Sequence, residues 1–439
     1  GYLFILPLFF KLFLFLEPPL FPRVCKVMRA VAEALRANSA DILAANQIDV
    51  EAAAQAGSGV GSALQQRLKL TQAKIETLAT GIEQLANMVE PVGKVLKRTE
   101  VSQDLILTQV TVPIGVLLIV FESRPDSLPQ IASLALRSGN GLLLKGGKEA
   151  AKSNKALHKV VVDAVFEASG GRVGRGIVGL VEGREAIKEL LQLDSAIDLV
   201  IPRGGKSLVE HVKKHTRIPV LGHADGICHV YVHPSASLAK AASVCVDAKC
   251  DYPAACNALE TVLFDEGCLS AGGLVHEVLR ALRQAGVALK AGPRAIELGL
   301  LSEADRAESL SVEYGDKSCL VEVVPSMEAA VAHIHAHGSS HTECIVAESQ
   351  EAQEAFTRRV DAACVFVNAS TRFADGFRFG FGAEVGISTG RIHARGPVGV
   401  EGLLTTKWLL RSEDKEKCHT VAQFTAGERA YTHKALPIE

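Results

Sequence analysis

The run Val112-Pro113-Ile114-Gly115-Val116-Leu117-Leu118-Ile119-Val120 contains no polar side chain and ends in Glu122-Ser123-Arg124-Pro125. A stretch this short that is apolar on both faces reads as a strand buried from both sides. Strands of that kind belong to parallel sheets covered by helices. Helix Leu128–Arg137, the turn Ser138-Gly139-Asn140-Gly141, strand Leu142–Lys145, the pair Gly146-Gly147 and a helix from Glu149 to Ala168 follow. Strand, helix, strand, helix is the repeating unit of a doubly wound α/β sheet.

Further along, strands at Ile177–Val181, Ala196–Ile201, Pro219–Leu221 and His229–Val232 extend this half. A second α/β half begins with helix Ser237–Lys249 and strand Leu259–Phe264, and runs through strand Cys364–Asn368. The expected organisation is a first α/β domain over 23–235, a second over 236–390 and a C-terminal return over 391–439. The alternating segment 99–112 reads as an exposed ribbon. A chain of 439 residues accommodates two such domains. Residues 1–22, rich in Phe and Leu and broken by Pro7, Pro18 and Pro19, fit neither a membrane helix nor a secretory signal. They read as a non-native or disordered segment.

The formal net charge is −2, and no basic tract marks a nucleic-acid or membrane partner. Ten cysteines without Cys-x-x-Cys spacing point away from a disulfide framework or a zinc ribbon, and towards a reducing, intracellular setting. His333, His335, His337 and His341 form a cluster, but no carboxylate completes a metal-binding pattern and Gly338 ends the helix. Packing and hydrogen bonding at a helix end is the expected role, and no metal is expected.

Chemistry concentrates at Cys256, in Asp251-Tyr252-Pro253-Ala254-Ala255-Cys256-Asn257. Pro253 stops the preceding helix, the alanines leave room, and the side-chain amide of Asn257 could face a developing oxyanion. Two glycine-rich strand-to-helix turns could hold phosphates or ribose hydroxyls: Lys145-Gly146-Gly147-Lys148 and Arg203-Gly204-Gly205-Lys206-Ser207. Their basic residues favour a 2′-phosphate, hence NADP(H). Turns with solvated lysines remain the alternative. Ser123 and Arg124 at one strand end, and Asn368, Ser370, Thr371 and Arg372 at another, could grip a carboxylate or phosphate.

Together these segments resemble the gamma-glutamyl phosphate reductase family of the aldehyde dehydrogenase superfamily. The carriers are Phe121-Glu122-Ser123-Arg124-Pro125-Asp126, Leu144-Lys145-Gly146-Gly147-Lys148-Glu149, Ile201-Pro202-Arg203-Gly204, Asp251-Tyr252-Pro253-Ala254-Ala255-Cys256-Asn257-Ala258 and Phe379-Gly380-Phe381-Gly382-Ala383-Glu384-Val385-Gly386. Leu221-Gly222-His223-Ala224-Asp225-Gly226 and Ile392-His393-Ala394-Arg395-Gly396-Pro397 look like the plant form, in which a glutamate kinase is fused to the reductase. The resemblance implies two Rossmann-like domains, a homo-oligomer built through the ribbon, and reduction of an acyl phosphate by NADPH through a Cys256 thioacyl intermediate. It implies that Lys145 holds the adenosine ribose, that Gly222 lies at the cofactor, and that Glu313 holds the nicotinamide ribose. Hydrolytic relatives carry a general-base carboxylate just before a Leu-Gly pair, where this chain has Val220. A hydrolytic dehydrogenase and a truncated non-catalytic fragment are the alternative readings.

Overall fold

The computed structural model describes residues 21–55, 67–183, 185–270, 273–415 and 418–438. Residues 1–20, which carry most of the expectation for the N-terminal segment, lie outside them. Phe21 and Pro22 already belong to the first described helix. The chain divides into two compact units. One holds the chain up to Ile201, His215–Pro219 and the residues from Gly399 onwards; the other holds Pro202–Lys214 and Val220–Val398.

In the first unit, helices Phe21–Ala37, Ser39–Gln55 and Gln72–Asn87 precede the strands. Met28, Val31, Ala32 and Leu35 are fully buried, the i, i+3, i+4, i+7 spacing of one helical face. A hairpin follows: β1 (Val95–Ser102) pairs antiparallel with β2 (Leu105–Pro113), turning at Asp104 with φ of 61°. The expected single ribbon is therefore two strands. The apolar run is also divided, because Gly115 takes φ of 142°, a conformation that favours glycine, and separates β2 from β3 (Val116–Phe121).

All six residues of β3 are buried. It sits beside β4 (Gly141–Gly146) in a sheet of order β5-β4-β3-β6, with β5 (Val178–Leu180) and β6 (Leu199–Arg203) at the edges. The β3/β4 and β4/β5 pairs are parallel. Asn140 locks the turn before β4: its Oδ1 accepts from Gly115 N, and its Nδ2 donates to the Leu403 carbonyl, both at 2.8 Å. The expected strand at Pro219–Leu221 is absent. Pro219 instead accepts from Val200 N at 2.9 Å, and only Val220 makes a bridge.

The second unit is built on six parallel strands. They are β7 (Cys228–Val232), β8 (Leu259–Asp265), β9 (Ala288–Ala291), β10 (Ser318–Val324), β11 (Thr342–Val346) and β12 (Cys364–Val367), in the order β12-β11-β7-β8-β10-β9. Side chains alternate faces along each strand. Val230 and Val232 of β7 pack with Val244, Cys245, Val275 and Leu279 from helices Leu238–Cys250 and Leu274–Gln284. Tyr231 packs with Ile334 and Phe356 from helices Met327–His337 and Gln350–Arg359. This double coverage is why the strands read as continuous apolar runs. The strand at 229–232, expected to close the first half, is at the middle of this second sheet, because its neighbours are β8 and β11.

A short ladder of β13 (Ile387–Ser388) and β14 (Gly396–Pro397) ends this unit. The chain then returns to the first unit as β15 (Leu404–Ser412) and β16 (Lys434–Ala435). The resulting sheet has the order β15-β2-β1-β16, with β15 antiparallel to β2 from Leu404↔Pro113 to Ser412↔Leu105. Among the described residues, no helix is long and apolar enough to cross a membrane.

Candidate active site

Helix Leu238–Cys250 stops at Asp251, and the chain turns through Cys256 before entering β8. The loop therefore lies at the amino end of β8, the same sheet end at which the chain enters the parallel strands β7 and β11. The loop is held in a demanding conformation. Tyr252 has φ of 63°, and a Cβ on Gly226 would collide with the Cys256 carbonyl.

Arg372 clamps this loop at both ends. It donates to the Asp251 carbonyl and to Asn257 Oδ1, and its guanidinium lies 5.9 Å over the Tyr252 ring. Arg378 adds a 2.8 Å ion pair to Asp251. Two sequence expectations change here. Asn257, buried, donates its amide to the Ala374 carbonyl at 2.7 Å, so its side chain braces the loop instead of facing an oxyanion. Arg372, also buried, has its charge engaged by the loop, and burial lowers its pKa.

The neighbours of Cys256 were not assigned from sequence. His223 and His341 each bring a ring nitrogen to the thiol, and these two nitrogens and Cys256 Sγ lie within 4.8 Å of one another. His223 Nδ1 is 2.7 Å from the Ile387 carbonyl. A carbonyl only accepts, so Nδ1 carries the proton and Nε2 is left as the basic nitrogen. His341 is fully buried, with Nδ1 2.8 Å from Thr342 Oγ1. Burial alone would raise the Cys256 pKa, but the charges and hydrogen-bonding capacity of His223 and His341 outweigh it and hold the thiol well below its usual value. For His223, burial opposes charging, while the Cys256 thiolate and the Ile387 carbonyl bring the imidazole up to about 9. A thiolate–imidazolium pair is the species these groups stabilise.

Two carboxyl groups come close. Glu384 is pushed up to about 7 by burial, which Arg203 partly offsets, and accepts from Gly376 N at 2.8 Å. Glu313 faces solvent and accepts from Gly226 N at 3.1 Å. Glu260, fully buried, supports the Glu313 segment by accepting from Tyr314 N at 3.1 Å. The hydrophobic Val220 therefore does not leave the thiol without titratable neighbours.

The other expected residues divide between the two units. Arg203 points towards the Glu384 segment and donates to the Glu384 carbonyl at 3.4 Å. Gly204, Gly205 and Ser207 are exposed at the start of helix Lys206–His215, and Lys206 is paired with Asp225 at 2.7 Å. Gly222 has φ of 153° and packs on Pro202. Asn368 is paired with both backbone groups of Ala347, and Ser370 caps the short turn carrying Arg372. Those two side chains serve the fold, while the buried Thr371 hydroxyl has no partner among the described residues.

In the first unit, Ser123 gives both its N–H and hydroxyl to Glu149, at 2.7 and 2.8 Å. Arg124 is half-buried beside it. Lys145 lies nearly buried at the end of β4, its ammonium 2.6 Å from the Gly146 carbonyl and its pKa lowered by burial. Side chains at Gly146 and Gly147 would run into Asn154 and Glu149, so this turn has no room for a Cβ. Lys148 is exposed.

No family model matches the chain. Delta-1-pyrroline-5-carboxylate synthase A of Arabidopsis thaliana is 53% identical over 416 residues, 94% of this chain and 56% of that protein. The chain thus spans about half the length of the plant relatives it matches. Gamma-glutamyl phosphate reductase of Prochlorococcus marinus is 44% identical over 413 residues, 94% of this chain and 92% of that protein. The solved gamma-glutamyl phosphate reductase of Thermotoga maritima superposes with a TM-score of 0.84 at 35% identity, covering 94% of this chain and 98% of that one. An acetylating aldehyde dehydrogenase of Geobacillus thermoglucosidasius shares the fold, with a TM-score of 0.67 at 19% identity. With this coverage and a cysteine set between two histidines at a strand entry of the aldehyde dehydrogenase fold, the chain belongs to the gamma-glutamyl phosphate reductase family.

Proposed function

We propose that the chain reduces L-glutamyl 5-phosphate to L-glutamate 5-semialdehyde with release of phosphate, using NADPH. The observation that carries this reading is the Cys256 thiol set between His223 and His341. The thiolate attacks the acyl carbon, the acyl–oxygen bond breaks, and the imidazolium of His223 gives its Nε2 proton to the departing phosphate. A thioester on Cys256 results. NADPH, when bound, supplies the hydride equivalent that reduces the acyl group. Collapse of the hemithioacetal frees the aldehyde and restores the thiolate, and His223 regains its proton from solvent.

Enzymes of this fold use nicotinamide cofactors. The choice of NADP(H) rests on Lys145 and Lys148 flanking a glycine turn at the end of a parallel strand, which fits a ribose bearing a 2′-phosphate. Glu313 is the proposed partner of the nicotinamide ribose. Arg124 and Thr371 keep their proposed roles in substrate binding. We place the chain in the cytoplasm, with plastid or mitochondrion as alternatives, and assign it a homo-oligomer through the sheet that exposes Trp408 and Leu410 on β15. In a full-length fused protein of the plant type, a glutamate kinase would supply the acyl phosphate.

The test is the reverse reaction of the full chain with glutamate 5-semialdehyde and NADP, with and without phosphate. NADPH formation that requires phosphate supports the reductase. Formation independent of phosphate would mean a hydrolytic dehydrogenase, and no turnover by folded protein would mean a non-catalytic fragment.

A further inference from the structure

The thiol and the two imidazoles beside it also form a ligand set that the reaction does not need. Cys256 Sγ and ring nitrogens of His223 and His341 lie within 4.8 Å of one another. A tetrahedral zinc ion takes sulfur at about 2.3 Å and nitrogen at about 2.0–2.1 Å, so donors a few ångströms apart need only a small contraction to share it. One thiolate and two imidazoles are the borderline-soft donors that zinc selects.

Two further observations point to a ligand. Histidines that bind metals usually fix their second ring nitrogen on a carbonyl, carboxylate or water. Here His223 Nδ1 is fixed on the Ile387 carbonyl at 2.7 Å and His341 Nδ1 on the Thr342 hydroxyl at 2.8 Å. Each ring thus has its other nitrogen available. The Nε2 of His341, a fully buried residue, has no hydrogen-bond partner among the described residues. Cys256 and His223 are partly accessible, which leaves a way in and an open fourth position.

We propose that Cys256, His223 and His341 form an inhibitory zinc site, with a water or phosphate oxygen as fourth ligand. Bound zinc holds the thiolate by a metal–sulfur bond and blocks attack on the acyl carbon, and a chelator restores it. The donors come from three segments far apart in sequence, so no local spacing motif announces the site.

The experiment is titration of the full chain with zinc against a chromophoric chelator, repeated with cobalt and read by absorption. One tight equivalent is expected, together with a thiolate-to-cobalt charge-transfer band and the visible bands of tetrahedral cobalt. Both should disappear in Cys256→Ser, and affinity should fall at least about tenfold in His223→Ala and in His341→Ala. Zinc binding that survives Cys256→Ser would overturn the proposal and place the metal on other residues, and cobalt without the charge-transfer band would overturn it by showing that no thiolate holds the metal. Alkylation of wild-type Cys256 by iodoacetamide, followed by peptide mass, gives a reading independent of variant folding. One equivalent of zinc should slow it at least about tenfold, and an unchanged rate would also overturn the proposal.

Discussion

Lys249 and Glu260 meet at 2.9 Å with both side chains fully withdrawn from solvent. Glu260 also accepts from the backbone of Tyr314 and Gly315, so one buried carboxylate ties the end of the Leu238–Cys250 helix to the segment bearing Glu313. Removing one partner of such a pair leaves an uncompensated buried charge, which costs about 3–5 kcal/mol. Lys249→Met should lower the urea midpoint by a corresponding amount. Lys249→Met combined with Glu260→Leu should recover part of the loss, because two apolar side chains then replace the pair. A double variant no more stable than the single one would contradict this.

The Cys256–His223 pairing makes a pH prediction. Cys256 is held well below the usual thiol range, and His223 is brought up to about 9. Between those two limits the pair stays thiolate–imidazolium. Iodoacetamide should therefore alkylate Cys256 at a nearly constant rate from about pH 6.5 to 8.5, where a free thiol near 8.5 would rise steeply. In His223→Ala the lost positive charge raises the thiol, so the rate at pH 7 should fall and climb with pH. A wild-type profile that follows a free thiol would contradict the assignment.

Gly226 is where backbone crowding decides reactivity. A methyl group there overlaps the Cys256 carbonyl, so the loop must shift. A displacement of about 1 Å at a reacting atom can cost about 10²-fold in rate. Gly226→Ala should lower kcat by roughly that factor while the KM for cofactor changes little. Unchanged kcat would mean that the loop accommodates the methyl group elsewhere.

Cofactor choice is tested at Lys148. Removing a charge-assisted contact to phosphate costs about 1.5–3 kcal/mol, or roughly tenfold or more in affinity. Lys148→Ala should raise the KM for NADPH by that factor and leave the KM for NADH unchanged. Equal effects on both would detach Lys148 from the 2′-phosphate.

The double α/β architecture was legible because strands such as Val116–Phe121 are buried on both faces and so carry no polar residue. Cys256 was legible because a proline, small residues and a strand start converge on one loop. Its partners were not. His223 lies in a loop before β7 and His341 directly before β11, and only the parallel pairing of β7 with β8 and β11 brings both to the thiol. Arg372 and Asn257 show the converse. Their residue types suit anion and oxyanion binding, yet their hydrogen bonds go to the nucleophile loop and to Ala374, partners that spacing in sequence does not reveal. The same limit applied at Gly115, where one apolar run serves two sheets.

The central claim is that Cys256 carries the acyl group. The most direct measurement is the intact mass of the chain after incubation with glutamate 5-semialdehyde and NADP without phosphate, quenched in acid and mapped by peptide. The account predicts a glutamyl adduct on the peptide containing Cys256, absent in Cys256→Ala and discharged when phosphate is added before the quench. An adduct on another residue, or phosphate-dependent turnover that persists in Cys256→Ala, would contradict it.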